Sequence, residues 1–276
     1  MNDFAQALPD RDYGFQMRFT KGSIASFFGP SATRHSLLEE RRRWLDAETG
    51  TYLAIESTGA PLLDEAMALA GSSGSLPSPG DASWSLEDRA RYLGEHWEPD
   101  YLLLAADPEG IFRLRAGCLC FPSHWDLGEK MGQPLSAIHG PVPGLNEQLG
   151  RQIDGFLHRI SPGISWERAN WGLARTPELN LHPSREIPRL DASSTLEDTW
   201  WRLERQSLVA LPRSGGVLFG IRLEIRPLTE IHREPDSCAA LVRALRTMPE
   251  AMARYKGLAS ARETLADQLE EGARGN

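Results

Sequence analysis

Between residues 145 and 160 the apolar positions Leu145, Leu149, Ile153, Phe156, Leu157 and Ile160 recur at helical spacing and fall on one face. That spacing predicts an amphipathic helix, stopped by Pro162 and Gly163. Upstream the pattern is different. Residues 101–105 are a short apolar run closed by Asp107-Pro108-Glu109-Gly110, and 111–121 resume as a second strand, so the pair reads as a β-hairpin. Three more strands are predicted near 165–173, 200–208 and 216–225, and residues 122–144 form an irregular connection with short helical turns. Before residue 100 the chain reads as an irregular segment and helices. Ser36 is the expected N-cap of the first, with Glu39 three residues on and the run Glu39–Arg43 as its solvated face. A second helix is expected over 61–70 and a third from 86 to about 94. The Gly-, Ser- and Pro-rich stretch 71–81 between them is a loop. Beyond Pro227 the chain returns to helix and ends in a charged, frayed tail.

The order strand, strand, helical turns, long helix, strand, strand, strand matches a PAS-type domain. The expected fold is therefore α+β: a PAS-like antiparallel five-stranded sheet with helices on one face, plus helical N- and C-terminal extensions. The corresponding division is 1–98, 99–230 and 231–276. A chain of 276 residues has room for one large domain or a domain with an extension. The net charge of −8 argues against nucleic acid as a general partner, because phosphate binding needs a basic face. No apolar run approaches the roughly 18 residues of a membrane span, and residues 1–11 carry no apolar stretch of a secretory signal. Cys118, Cys120 and Cys238 are an odd count suited to a reducing, cytoplasmic setting. Cys118 and Cys120 share a strand face but are weak support for a metal site. Eight tryptophans suit either a core of large aromatic volumes or a cavity for a planar ligand.

Candidate chemistry centres on residues 132–144, where His139 stands among glycines and prolines just ahead of the long helix. Proline fixes its own φ and restrains the residue before it, so the imidazole is held on a stiff backbone suited to metal ligation. The same spacing suits a plain structural turn whose histidine caps the helix. Among the other histidines, His158 falls opposite the apolar stripe and is expected in solvent. His124 and His182 lie in loops, and His35, His96 and His232 sit in helical or terminal segments.

Four blocks carry a family resemblance. They are 130–144, then Trp166-Glu167-Arg168-Ala169-Asn170-Trp171, then Arg202-Leu203-Glu204-Arg205-Gln206-Ser207-Leu208, and finally Leu211-Pro212-Arg213-Ser214 with Leu218-Phe219-Gly220-Ile221-Arg222. Together, in this order, they resemble the haem-dependent oxidative N-demethylase α-subunit family over roughly residues 100–230. The resemblance implies a PAS-like haem domain acting as a monooxygenase, with haem b as cofactor and His139 as proximal iron ligand. It also implies O2 and a small amine or related nitrogenous compound as substrates, and separate flavin and iron–sulfur reductase partners. The chain has no cysteine cluster for an iron–sulfur centre and no glycine-rich dinucleotide fingerprint, in keeping with that dependence. It departs from the family at Ser207 and at Leu223-Glu224, and it is short, which bears on the dimethylamine substrate more than on haem.

Within that reading Arg205 interrupts a mostly apolar stripe of Trp201, Leu203, Ser207 and Val209. A buried guanidinium needs an anionic or polarised partner, and a haem propionate or dioxygen at the iron is expected to be one. Glu204 or Glu167 is the expected holder of a cationic amine, and Arg168 and Asn170 are candidates for contacts to the cofactor. Arg222, Glu224 and Arg226 suit an exposed ion-pair ladder, and Arg222 stays a catalytic candidate through its match to the family block. Two other readings stand beside this one: a non-enzymatic haem PAS sensor of gas or redox state, and a haem-free PAS scaffold subunit.

Overall fold

The computed structural model describes residues 7–77 and 84–273. Its strands are β1 (Thr20–Gly22), β2 (Leu53–Ile55), β3 (Asp100–Ala106), β4 (Phe112–Cys118), β5 (Ser165–Ala174), β6 (Trp200–Leu211) and β7 (Gly216–Pro227). They form one open seven-stranded sheet in the order β1-β5-β6-β7-β3-β4-β2. Every neighbouring pair is antiparallel. The expected five-stranded sheet is thus corrected to seven. The added edges, β1 against β5 and β2 against β4, are three residues each, too short to show an alternation in sequence.

The helices are α1 (Ile24–Phe28), α2 (Arg34–Tyr52), α3 (Ala60–Ser72), α4 (Leu86–His96), α5 (Leu135–Ile138), α6 (Leu145–Leu157), α7 (Leu228–His232), α8 (Pro235–Thr247), α9 (Glu250–Tyr255) and α10 (Arg262–Ala273). Thr33, not Ser36, is the N-cap of α2; the Ser36 hydroxyl lies inside the first turn and donates to the Thr33 carbonyl at 3.0 Å. At α4 the expected start is met by a capping box between Ser85 and Asp88. Residues 78–81 of the expected loop and the last residues of the expected tail lie outside the described residues.

Helices cover both sheet faces, which corrects the expectation of helices on one. Along β6, Trp201 and Leu203 pack into the C-terminal helices while Val209 and Leu211 pack into the N-terminal ones. These alternate residues share one strand face, so the two terminal sets of helices cover the same side. Leu102 and Leu104 of β3 and Val217 and Ile221 of β7 face the other side and pack with α5 and α6. One buried tie locks α2 to the sheet. Arg41, fully buried, donates to Asp100 Oδ1 at 2.6 Å, to the Gly94 carbonyl at 2.8 Å and to Cys118 Sγ at 3.3 Å. Asp100 in turn accepts the backbone N–H groups of Cys120 and Phe121 at 2.8 and 3.0 Å. Arg41 therefore leaves the solvated run expected for 39–43, because a guanidinium with this many acceptors survives burial.

Candidate functional site

The chain from Gly132 to Gly144 is pinned at both ends. Gly132 N–H donates to the Leu114 carbonyl at 2.8 Å, and Leu114 N–H donates back to Gln133 at 3.2 Å, so the start of the segment rides on β4. Pro134 opens α5, and His139 closes it, donating its N–H to the Leu135 carbonyl at 2.8 Å and accepting from Val142 N–H at 2.9 Å. Gly144, at φ 75°, turns the chain into α6 through a left-handed conformation that a side chain would strain. Asn146 of α6 donates to the Ser136 carbonyl at 2.7 Å and ties the two helices together. The His139 ring is half-buried and makes no hydrogen bond among the described residues. Burial pushes its imidazole below the ordinary range, the nearby Arg168 guanidinium pushes the same way, and Asp154 opposes. A neutral imidazole with a free lone pair is the form that ligates a metal.

Facing this segment is the sheet surface formed by β5 and β6. Trp166, Arg168 and Asn170 alternate onto it, in register with Leu208, Gln206 and Glu204. Leu208 packs against the same hydrophobic cluster as Ile138, Ile153 and Phe156, which identifies this as the side covered by α5 and α6. Glu204 Oε2 accepts from Asn170 Nδ2 at 3.2 Å and from Gln206 Nε2 at 2.9 Å. Arg168 has no ion pair or hydrogen bond among the described residues, and burial holds its guanidinium below the ordinary range against the pull of Glu204 and Tyr13. Lys256, just beyond α9, donates to the Trp171 carbonyl at 2.6 Å and lies 3.5 Å from Asn170 Oδ1. Burial lowers the Lys256 ammonium to about 8, with Glu204 opposing and Arg168 adding to the shift.

Arg168 lies close enough to His139, Glu204, Tyr13 and Lys256 for their charges to act on one another, so these side chains gather into one cluster, the recess, between the β5–β6 surface and α5–α6. Arg168, His139 and Lys256 keep some surface open to water yet are surrounded by enough protein to disfavour their charged forms. Along α6 only Leu157 is fully buried; Leu145, Leu149, Ile153 and Phe156 are half-exposed. Ile153 and Phe156 pack against the core on this side, and Leu145 and Leu149 leave the start of the stripe open. Phe156 meets the edge of Trp166 at 5.7 Å and stacks on Phe19 at 4.4 Å, closing one end. Tyr13 lies on the other flank, its ring edge-on to Trp171 at 6.5 Å and its N–H donating to Thr247 Oγ1 at 2.8 Å.

Of the residues singled out in the sequence, His139, Arg168, Asn170 and Glu204 come together here. Arg205 and Arg222 stand apart from them. Paired with each other across β6 and β7, they face the N-terminal helices on the reverse side of the sheet. Arg205 lies 3.9 Å from Glu167 and 5.8 Å from the Phe27 ring, so the partner it needs comes from β5 and α1. Arg222 donates to Glu98 Oε2 at 3.0 Å and to the Gly29 carbonyl at 2.5 Å, and so is a structural tie rather than part of an exposed ladder. Glu167 shares that reverse face and accepts from the Ser165 hydroxyl at 2.8 Å. The block 211–214 is likewise structural: Glu65 of α3 accepts from Arg213 N–H, Ser214 N–H and the Ser214 hydroxyl at 3.1, 2.8 and 2.7 Å. His158 is exposed beside Phe112, and His182 is buried between Ser184 and Asp126 at 2.8 and 3.2 Å. His124 adopts a left-handed φ of 64°, and the surrounding protein, with Arg202 and Arg189, pushes its imidazole down to about 4.

Sequence reading missed Lys256, Tyr13 and Tyr255, which come from segments remote from the matched blocks. One signal was present: the chain has three lysines among its 30 basic residues, and position 256 is one of them.

No group of three or more His, Cys, Asp or Glu side chains suited to a metal occurs among the described residues. A single histidine over an apolar wall fits a metal that brings its other donors with it, as a porphyrin does. No helix among the described residues is long and apolar enough to cross a membrane. Residues 38–266 match the family described as haem-dependent oxidative N-demethylase, alpha subunit-like, a span that takes in His139, both floor strands and Lys256. With most of its length inside that match, the chain belongs to this family.

Proposed function

We propose that the recess between the β5–β6 surface and α5–α6 would bind haem b with His139 as iron ligand, and that the protein is a monooxygenase oxidising a small amine. The observation that carries this is the His139 imidazole, half-buried, without a hydrogen-bond partner among the described residues and biased to the neutral form, on a backbone fixed at both ends. The order β5-β6-β7-β3-β4 within the larger sheet supports the PAS-like core expected for such a domain.

When bound, the haem supplies the dioxygen chemistry, with electrons from separate flavin and iron–sulfur partner proteins in a cytoplasmic setting. In oxidative N-demethylation the methyl carbon leaves as formaldehyde carrying one oxygen atom, the other oxygen becomes water, and two electrons and two protons are consumed. The residues present do the positioning. Asn170 and Gln206 both donate to Glu204 Oε2, which fixes the carboxylate and leaves Oε1 to accept from a substituted ammonium. Trp166, Phe156 and Leu208 offer the apolar contacts that suit the face of a planar macrocycle.

The test is reconstitution with hemin. Wild-type protein develops a Soret band, His139→Ala largely abolishes it, and His158→Ala leaves it unchanged. Wild-type hemin content in His139→Ala would remove His139 as the ligand.

A further inference from the structure

The geometry points to a carboxylate-binding pair, Arg168 of β5 and Lys256 beyond α9, at the flank of the recess. The inference rests on the recess being the ligand site and names what its charged edge holds.

Three charged side chains meet there: two cations, Arg168 and Lys256, and one carboxylate, Glu204. Neither cation has an ion pair with it or with any other described residue. Glu204 spends Oε2 on the amides of Asn170 and Gln206. The recess thus carries an excess of positive charge, and each cation destabilises the other's charged form. The other titratable groups near them do not answer it: burial raises the phenols of Tyr13 and Tyr255, with Tyr255 and Glu204 respectively adding to the shift, and burial with Arg168 holds the His139 imidazole neutral. A guanidinium and an ammonium held together in this way cost free energy unless an anion completes the set.

The two donors also divide the work. Lys256 is anchored through the Trp171 carbonyl, which β5 leaves free because β1 pairs only as far as Glu167. Its ammonium has three protons and two acceptors among the described residues, so one remains for a ligand. Arg168 keeps its whole five-donor fork. In a chain that uses arginine for nearly all of its cations, a lysine at this position supplies a compact charge beside the planar fork of Arg168. A carboxylate bridging them would take a bidentate bond from Arg168 and a single bond from Lys256.

The carboxylate has two chemical sources, a propionate of the haem or the acid group of a zwitterionic N-methyl amino acid whose ammonium sits on Glu204. Titration of wild type, Arg168→Gln and Lys256→Gln with hemin and with hemin dimethyl ester separates them. If the ligand is a propionate, wild type binds hemin about tenfold tighter than the ester, and each substitution removes most of that difference. If the ligand is a substrate acid, hemin and ester bind alike to all three proteins. N-Methylglycine then shifts the Soret band of the loaded wild type but not of the variants. Comparison of the two porphyrins on unaltered protein keeps the test independent of how well the variants fold. Equal binding of both porphyrins together with no response to N-methylglycine overturns the pair. A wild type that takes up neither porphyrin fails the haem reading instead. Calorimetry of N-methylglycine with the same three proteins then decides the pair, which stands if wild type binds it and both variants do not, and falls otherwise.

Discussion

Three arginines on neighbouring strands differ in what answers their charge. Arg222 is met by Glu98 and a carbonyl, Arg205 by Glu167 and the Phe27 ring, and Arg168 by nothing among the described residues. All three stand in strands with the same residue types around them, so composition alone does not distinguish them. Strand phase does, and a one-residue change of phase moves a side chain to the other face. That Arg168 and Asn170 share one strand face, and Glu204 and Gln206 another, was legible from the alternation, but the placement of Arg205 and Arg222 was not, because their partners lie in α1 and before β3, far away in sequence. Arg222→Ala is expected to lower stability by about 2 kcal/mol, since Glu98, 2% exposed, loses a charged donor and keeps Arg34 and Ser31. Arg205→Ala is expected to cost under about 1 kcal/mol, as its pair is long and part-exposed. Urea unfolding measures both, and hemin uptake should match wild type in each. A folded variant of either that no longer takes up hemin would put the site on the reverse face.

At the scale of elements, α6 is a helix whose pattern and packing diverge. Its apolar stripe was legible because four turns of regular spacing leave no competing reading, and the same holds for the long strands β5, β6 and β7. Nothing in the stripe says how much of it a core will use, and here only Leu157 is fully buried. Leu157→Ala is therefore expected to cost about 3 kcal/mol through the cavity it leaves. Leu149→Gln, at a half-exposed position two turns earlier, is expected to cost well under about 1 kcal/mol yet weaken hemin binding several-fold. Thermal unfolding and absorption titration of the two variants separate a core position from a ligand-facing one. If Leu149→Gln unfolds as easily as Leu157→Ala, the stripe is ordinary core. The edge strands β1 and β2 were illegible for the opposite reason: they exist only because β5 and β4 offer them partners.

For the whole molecule, stability responds to acid in two stages. The His124 imidazole titrates at about 4 in the folded chain against an unfolded value of about 6.5. The unfolded chain therefore binds that proton first, and stability declines as pH falls between the two values. Burial alone would raise the Glu98 carboxyl, but hydrogen bonds from Ser31 with Arg222 and Arg34 outweigh it and hold it below the ordinary range. Its contribution is complete above the unfolded carboxylate value and is lost as pH falls through the folded one. Urea midpoints at about pH 7.5, 5.5 and 3.5 are expected to fall at each step. His124→Gln should flatten the first step and Glu98→Gln the second; a wild-type curve in both would show that neither group governs acid unfolding.

The contact between Tyr13 and Thr247 has a consequence in time. One flank of the recess is drawn from opposite ends of the sequence, Tyr13 and Lys256 both meeting Trp171 there, while His139 stands midway. A chain emerging in order from the ribosome presents the imidazole early, with no enclosure around it. Such long-range closure is slow and comes last. The finished cluster is thus a certificate of complete synthesis, and a truncated or stalled chain, however well its central strands have paired, lacks the Lys256 side of it.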